Sequence, residues 1–321
     1  MTNGTHNPRF IGVDVASRHV DVAAYGQTKV LRVSNEPQAL TRWLKTVPAG
    51  SVLAMESTGR YHLLLARLAH ERGLRVYVLN PRDVRHYAQG IGQRGKTDRL
   101  DAQLLARYVA HEHVQLHAWQ PPAPELQRLD DLLRHRAAVV RHREALRQSL
   151  SQDKSVTGLM TSLLGPFDQA IKALDAQLRQ AIAALPEGKS AVARITSVPG
   201  LGLLNGAALL RLFTRLGSVS VDVVIAFTGL DPRPMDSGNK RGVRRLSKRG
   251  NSELRRLLFN AAMSASRTDT WRHFYQRELA KGLPCTAALV VLARKLVRVA
   301  FSLFKSGSLF DPAHGLPPSM A

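Results

Sequence analysis

Four acidic residues and one serine carry the chemistry this chain could perform. Asp98 and Asp101 stand three positions apart in GKTDRLDAQLLAR, residues 95–107, a spacing that puts both carboxylates on one face of a helix. Carboxylates that close repel each other, and the pair becomes favourable when a divalent cation sits between them and distant strands supply further oxygen ligands. A helix cap explains the same residues without metal, with Thr97 or Asp98 as N-cap and Asp101 favouring the positive helix end. Asp14 and Glu56 are the upstream candidates, each acidic within an apolar run, FIGVDVAS and SVLAMEST. Salt bridges or surface positions are the bland alternative for them. Brought together, the four would hold Mg²⁺ or Mn²⁺, and two ions about 4 Å apart stabilise both the attacking and the leaving oxygen of an in-line phosphoryl displacement.

Ser237 lies in IAFTGLDPRPMDSGNKRG, residues 225–242, whose prolines and glycines predict an irregular loop. From Asp231 to Arg256 there are nine Lys or Arg (Arg233, Lys240, Arg241, Arg244, Arg245, Lys248, Arg249, Arg255 and Arg256) against three acidic residues. Such a run is commonly only a solvated face, but here it surrounds a hydroxyl and contains glycines that let backbone approach a ligand. A serine among arginines could attack a phosphodiester, the arginines stabilising developing charge while a metal or base assists deprotonation.

The elements that must position these residues follow from patterning. FIGVDVAS, HVDVAAYG and KVLRVSN, between Phe10 and Asn35, predict a three-stranded antiparallel meander. Helix (Pro37–Val47), strand SVLAMEST, helix (Tyr61–Arg72), strand LRVYVLNP and a helix from near Pro81 then alternate, so the later strands run parallel through right-handed crossovers. This is the element order of the RNase H-like nuclease fold, and it sets the first strand beside the strand ending at Glu56. Asp21 and Asp83 are expected as solvated or capping residues. His111, His113 and His117 have poor spacing for a transition-metal site, because 111 and 113 fall on different faces.

The break AWQPPAP at Ala118–Pro124 ends the first domain. A basic helix from Glu125 to about Gln152 follows, then a turn around Gly158–Gly165. A second helix from Phe167 has Phe167, Ile171, Leu174, Leu178, Ile182 and Leu185 at coiled-coil steps. Together they predict an antiparallel arm that packs on itself or pairs with another subunit. VPGLGLLNGAALL (198–210) is a Pro-Gly-x-Gly turn opening a small-residue helix, the form in which backbone N–H groups of Gly200 and Gly202 could hold a nucleic-acid phosphate, as in helix-hairpin-helix elements. Helices Glu253–Ser266, Trp271–Lys281 and Thr286–Lys305 cover a C-terminal core in which Trp271 packs, and the tail after Ser306 reads as loose. The expected division is 1–118, 119–190 and 191–321.

Forty-six Lys and Arg against 24 Asp and Glu give a net charge of +22 over 321 residues. That surface attracts polyanions, nucleic acid first. Basic residues interrupt every apolar stretch, which argues against a membrane span. The polar start of the chain lacks a signal-peptide pattern, and the single Cys285 fits a reducing compartment as a small helix-packing residue. A cytoplasmic, nucleoid-associated bacterial protein is expected.

In order and separation, FIGVDVAS, AMESTG, KTDRLDA, VPGLG and the block GLDPRPMDSGNKRGVRRLSKRGNSELRRLL resemble the DEDD transposases of the IS-one-ten type, recombinases related to the Piv invertase. The resemblance spans about Phe10 to Ala300. It implies a RuvC-like α/β domain with Asp14, Glu56, Asp98 and Asp101 as a metal-binding tetrad, a coiled-coil arm, and a mostly helical C-terminal transposase domain with Ser237 as nucleophile. It further implies a covalent phosphoserine intermediate, a composite site built from two subunits, a structured non-coding bridge RNA pairing with donor and target double-stranded DNA, and a homodimer that assembles to a homotetramer. Backbone contacts are expected from Gly200, Gly202, Lys240, Arg241, Arg244, Arg245, Lys248 and Arg249. Two other readings stay open: a RuvC-like junction resolvase that hydrolyses with activated water, and a non-catalytic nucleic-acid-binding protein.

Overall fold

The computed structural model describes residues 9–57, 59–93, 95, 97–151, 155, 157–233 and 244–312. The chain divides into two compact units, 1–121 and 122–321.

In the first unit β1 (Phe10–Val15), β2 (His19–Ala24) and β3 (Val30–Ser34) form an antiparallel meander. Next come α1 (Pro37–Leu44), β4 (Val52–Glu56), α2 (His62–Glu71), β5 (Arg75–Leu79), α3 (Pro81–Gly90) and α4 (Asp98–Glu112). The sheet order is β3-β2-β1-β4-β5, with β4 and β5 parallel to β1. Strand alternation splits the side chains between two cores. Ile11, Val13, Leu53 and Met55 pack with α1 and α2 on one face, whereas Val52, Ala54, Tyr77 and Leu79 pack with α3 and α4 on the other.

Gly12 decides how closely α4 can approach. A Cβ there would stand 2.1 Å from the Ala102 carbonyl oxygen and 2.2 Å from the Ala106 nitrogen, so only glycine lets the helix backbone lie on the strand. Arg99 and Gln103 of α4 both donate to the Thr28 carbonyl, at 2.8 and 3.2 Å, which fixes the helix along the sheet.

Among the described residues the second unit is helical apart from one short ribbon. Helices α5 (Pro124–Leu150) and α6 (Thr157–Ala184) pack together as a hairpin whose base, Leu129, Leu132, Leu178 and Ile182, belongs to the core formed by the later helices. The expected start of the second helix at Phe167 is corrected: α6 begins ten residues earlier and runs through Gly165 and Pro166. Pro166 removes one N–H and crowds the Ser162 carbonyl, but Ser162 is exposed and water can take that carbonyl, so the helix continues.

Then come α7 (Gly188–Thr196), α8 (Leu203–Leu216), α9 (Val221–Thr228), the ribbon β6 (Pro232–Arg233) and β7 (Arg245–Leu246), α10 (Ser252–Ala265), α11 (Asp269–Ala280) and α12 (Cys285–Ser306). Trp271 is fully buried and donates from Nε1 to the Pro199 carbonyl at 3.0 Å. The chain beyond Ser306 is not loose as far as Phe310, whose N–H donates to Ser197 Oγ at 2.9 Å and whose ring lies 6.0 Å from that of Trp271. Cys285, expected to pack between helices, is exposed at the first position of α12, on the side of Tyr275 of α11. Among the described residues no helix is long and apolar enough to cross a membrane.

Candidate active site

The face of the sheet that α4 covers collects the acidic residues. Gly12 faces α4, so Asp14, two residues on, emerges on the same side. Ala54 faces α4 as well, which puts Glu56 there at the end of β4. The β1–β4 register pairs Gly12 with Ala54 and Val13 with Met55, so Asp14 and Glu56 stand level on neighbouring strands. Asp98 and Asp101 occupy the first turn of α4, where the helix dipole favours acids and Thr97 serves as N-cap by accepting from the Leu100 N–H at 3.2 Å. The capping alternative thus holds for Thr97, with Asp98 and Asp101 placed in the first turn as it also requires.

Asp14 registers the crowding. Burial, then the carboxylates of Asp101, Asp98 and Asp21, push its pKa from 3.8 up to about 6, against a lowering hydrogen bond from the Val15 backbone. A divalent cation would relieve this repulsion.

Asp21 corrects the sequence reading, which had it solvated or capping. It is 4% exposed and lies directly opposite Asp14 in the β1–β2 register. Its partner is Arg32, its cross-strand neighbour on β3, which donates from Nε and Nη2 at 2.9 and 2.8 Å. Arg32 Nη2 also lies 3.6 Å from Asp98 Oδ2, and His19 Nε2 lies 3.6 Å from Asp21 Oδ2. His19, Asp21 and Asp98 offer one nitrogen and two carboxylate oxygens within 4.8 Å of one another, a donor set that suits Mn²⁺ and, with added waters, Mg²⁺. Only the strand register brings these residues together: a tight hairpin about residues 16–18 pairs position 14 with 21, and a second hairpin pairs 21 with 32.

Asp83 sits in the first turn of α3, capped by Asn80. His111 meets the Tyr25 hydroxyl at 2.9 Å and His113 Nδ1 meets the Val109 carbonyl at 3.1 Å, so both have structural partners.

In the second unit, Ser237, Lys240 and Arg241 fall outside the described residues. The described residues on either side of them form a short stem. Pro232 pairs with Leu246 and Arg233 with Arg245. The Ser247 N–H donates to the Asp231 carbonyl at 2.9 Å, the Lys248 N–H to the Gly229 carbonyl at 3.1 Å, and the buried Ser247 hydroxyl to the Asp231 carboxylate. Gly250 crosses so closely that a Cβ would stand 2.2 Å from the Phe227 carbonyl oxygen. Arg244, Arg245, Lys248 and Arg249 are exposed around this stem. In the α7–α8 turn, Gly200 has φ +98° and packs against α10, 2.5 Å from the Ala265 Cβ by the same test, while Gly202 is exposed before α8 with open space around it.

Comparison with known proteins finds two family models, the first of which runs past the boundary into the second unit. A transposase family model, that of the DEDD proteins of the IS110 group, matches residues 11–153. A second, described as Transposase IS116/IS110/IS902 family, matches residues 192–276. The chain is 28% identical to the pilin gene-inverting protein of Moraxella bovis, over 94% of this chain and 97% of that one. It is 25% identical to the transposase for insertion sequence element IS1328 of Yersinia enterocolitica, over 95% and 99% respectively. The chain belongs to the IS110 family of transposases, which are DNA-processing enzymes.

Proposed function

We propose that this transposase cuts and rejoins DNA through a covalent phosphoserine, with Ser237 as nucleophile and Asp14, Glu56, Asp98 and Asp101 holding divalent cations, Mg²⁺ or Mn²⁺. The observation that carries the reading is the gathering of acidic side chains on the α4 face of a sheet ordered β3-β2-β1-β4-β5, which supports an RNase H-like, RuvC-like assignment. When bound, the cations would supply Lewis-acid stabilisation of the phosphate oxygens. The chain does the rest. Ser237 Oγ attacks a phosphodiester phosphorus, an Oγ–P bond forms, the P–O bond to the departing sugar hydroxyl breaks, and the serine proton passes to a base. A hydroxyl from the other strand then attacks the phosphoserine and releases Ser237, so the number of phosphodiester bonds is conserved.

In this reading the exposed Arg244, Arg245, Lys248 and Arg249, with Lys240 and Arg241, hold backbone phosphates, and the start of α8 after Gly202 adds main-chain N–H donors. The α5–α6 hairpin is the coiled-coil arm of a homodimer that pairs into a tetramer. The chain then works in three parts, 1–118, 119–190 and 191–321. A structured bridge RNA selects donor and target by base pairing. The net charge of +22 with only 6% aromatic residues supports a protein that grips backbone and shape.

The test is denaturing electrophoresis of protein incubated with labelled donor DNA and Mg²⁺. Wild-type protein is expected to give an alkali- or protease-sensitive protein–DNA adduct, and Ser237→Ala to bind DNA normally without one. An adduct that persists in Ser237→Ala removes the nucleophile assignment. Cleaved DNA released without adduct or rejoining selects hydrolysis by the acidic face instead.

A further inference from the structure

The acidic face carries an arginine for which the proposed strand chemistry has no role. The Arg32 guanidinium holds one carboxylate tightly and another loosely, and its Nη2 is shared between the two. Towards Asp21 it makes two hydrogen bonds, at 2.9 and 2.8 Å, to a carboxylate that burial leaves dependent on a partner. Towards Asp98 it makes one contact of 3.6 Å, and both side chains there are about 60% exposed, 60% and 61%. His19 Nε2 completes the surroundings at 3.6 Å from Asp21 and has no hydrogen-bond partner. The guanidinium thus touches two of the three groups whose donor atoms lie within 4.8 Å of one another. It sits on the ligands a divalent ion would use.

We propose that Arg32 is a positioning residue that acts as the built-in counter-cation of the acidic face. While no divalent ion is bound, it draws Asp98 towards Asp21 and offsets the repulsion among Asp14, Asp21, Asp98 and Asp101. When an ion binds, Arg32 releases Asp98 and stays on Asp21, because the weak exposed contact yields before the two-bond anchor. Arg32 therefore competes with the ion for Asp98 and raises the cation concentration at which the face fills. This inference rests on the reading that the face binds metal.

Calorimetric titration of the full chain with Mg²⁺ or Mn²⁺ alone, without nucleic acid, tests it. Arg32→Gln keeps an amide donor for Asp21 but removes the charge, and cation binding is expected to tighten on the order of threefold to tenfold, the effect of one unit charge a few ångströms away under partial screening. Arg99→Gln is the control, since Arg99 neighbours Asp98 in sequence but is bonded to the Thr28 carbonyl; its binding should change less than twofold. Equal shifts in both variants, or no shift in Arg32→Gln, overturn the proposal. Absence of binding by wild-type protein overturns instead the metal reading beneath it. Should Arg32→Gln fail to fold, ¹⁵N-arginine spectra of wild-type protein decide: Mg²⁺ should move the Arg32 Nη signals and leave Nε unchanged, and unmoved Nη signals refute release of Asp98.

Discussion

Asp14 is the residue at which the site's electrostatics can be read as stability. Its folded pKa of about 6 lies above the ordinary 3.8, so between those values the folded chain holds a proton that the unfolded chain has released. Its contribution to stability is full below about 3.8 and is lost as pH rises through about 6. In chelator, Asp14→Asn should therefore melt higher than wild type at pH 7.5, with the gap closing as the pH falls through 6 towards 4. Thermal scans across that range check the sign, and a variant less stable than wild type at pH 7.5 would contradict it. The positions of the four carboxylates on one face of the first unit follow from patterns in the sequence: Asp14 and Glu56 interrupt apolar strand runs, and Asp98 and Asp101 stand three apart at a helix start. Asp21 and Arg32 were not legible there, because an acid in a strand reads as solvated until the hairpin register puts a basic neighbour across from it. Exposure judged one residue at a time misses a pair that buries only as a pair.

At the scale of elements, the meander, the later parallel strands and the pairing of the first strand with the one ending at Glu56 were readable from the order of elements, since apolar runs and helical spacing agree along the first unit. How closely α4 approaches the sheet was not. That depends on Gly12, whose missing side chain is filled by helix backbone, and a glycine in a strand does not announce what lies over it. Gly12→Ala must push α4 away, carrying Asp98 and Asp101 from Asp14 and opening the core at Leu104, Leu105 and Val109. The expected loss is at least the 1–3 kcal/mol typical of overpacking, measured by denaturant unfolding; a variant within about 0.5 kcal/mol of wild type would show that the helix can shift freely. The early start of α6 has a related origin. Gly165 and Pro166 are breakers by composition, but a helix already propagating tolerates one lost hydrogen bond where water can replace it.

At the scale of the molecule, each unit owns a core: α1 and α2 cover one face of the sheet and α3 and α4 the other in the first, and α7 to α12 enclose Phe213 and Trp271 in the second. Trp119 packs on the first core and its N–H donates to the Val76 carbonyl at 2.7 Å, so the separable boundary lies after it, in the proline run at residues 121–122. A fragment ending at Pro121 should unfold in one cooperative thermal transition by circular dichroism; a gradual, featureless melt would mean the sheet needs the rest of the chain. The β6–β7 stem has a consequence of reach. Ser237 is four residues beyond Arg233, which the ribbon and the Gly250 crossing pin in place, and four residues of fully stretched chain extend about 14 Å. In the proposed reading, with Ser237 as nucleophile, the stem is a short tether, and the phosphorus to be attacked has to come within about that radius of Arg233.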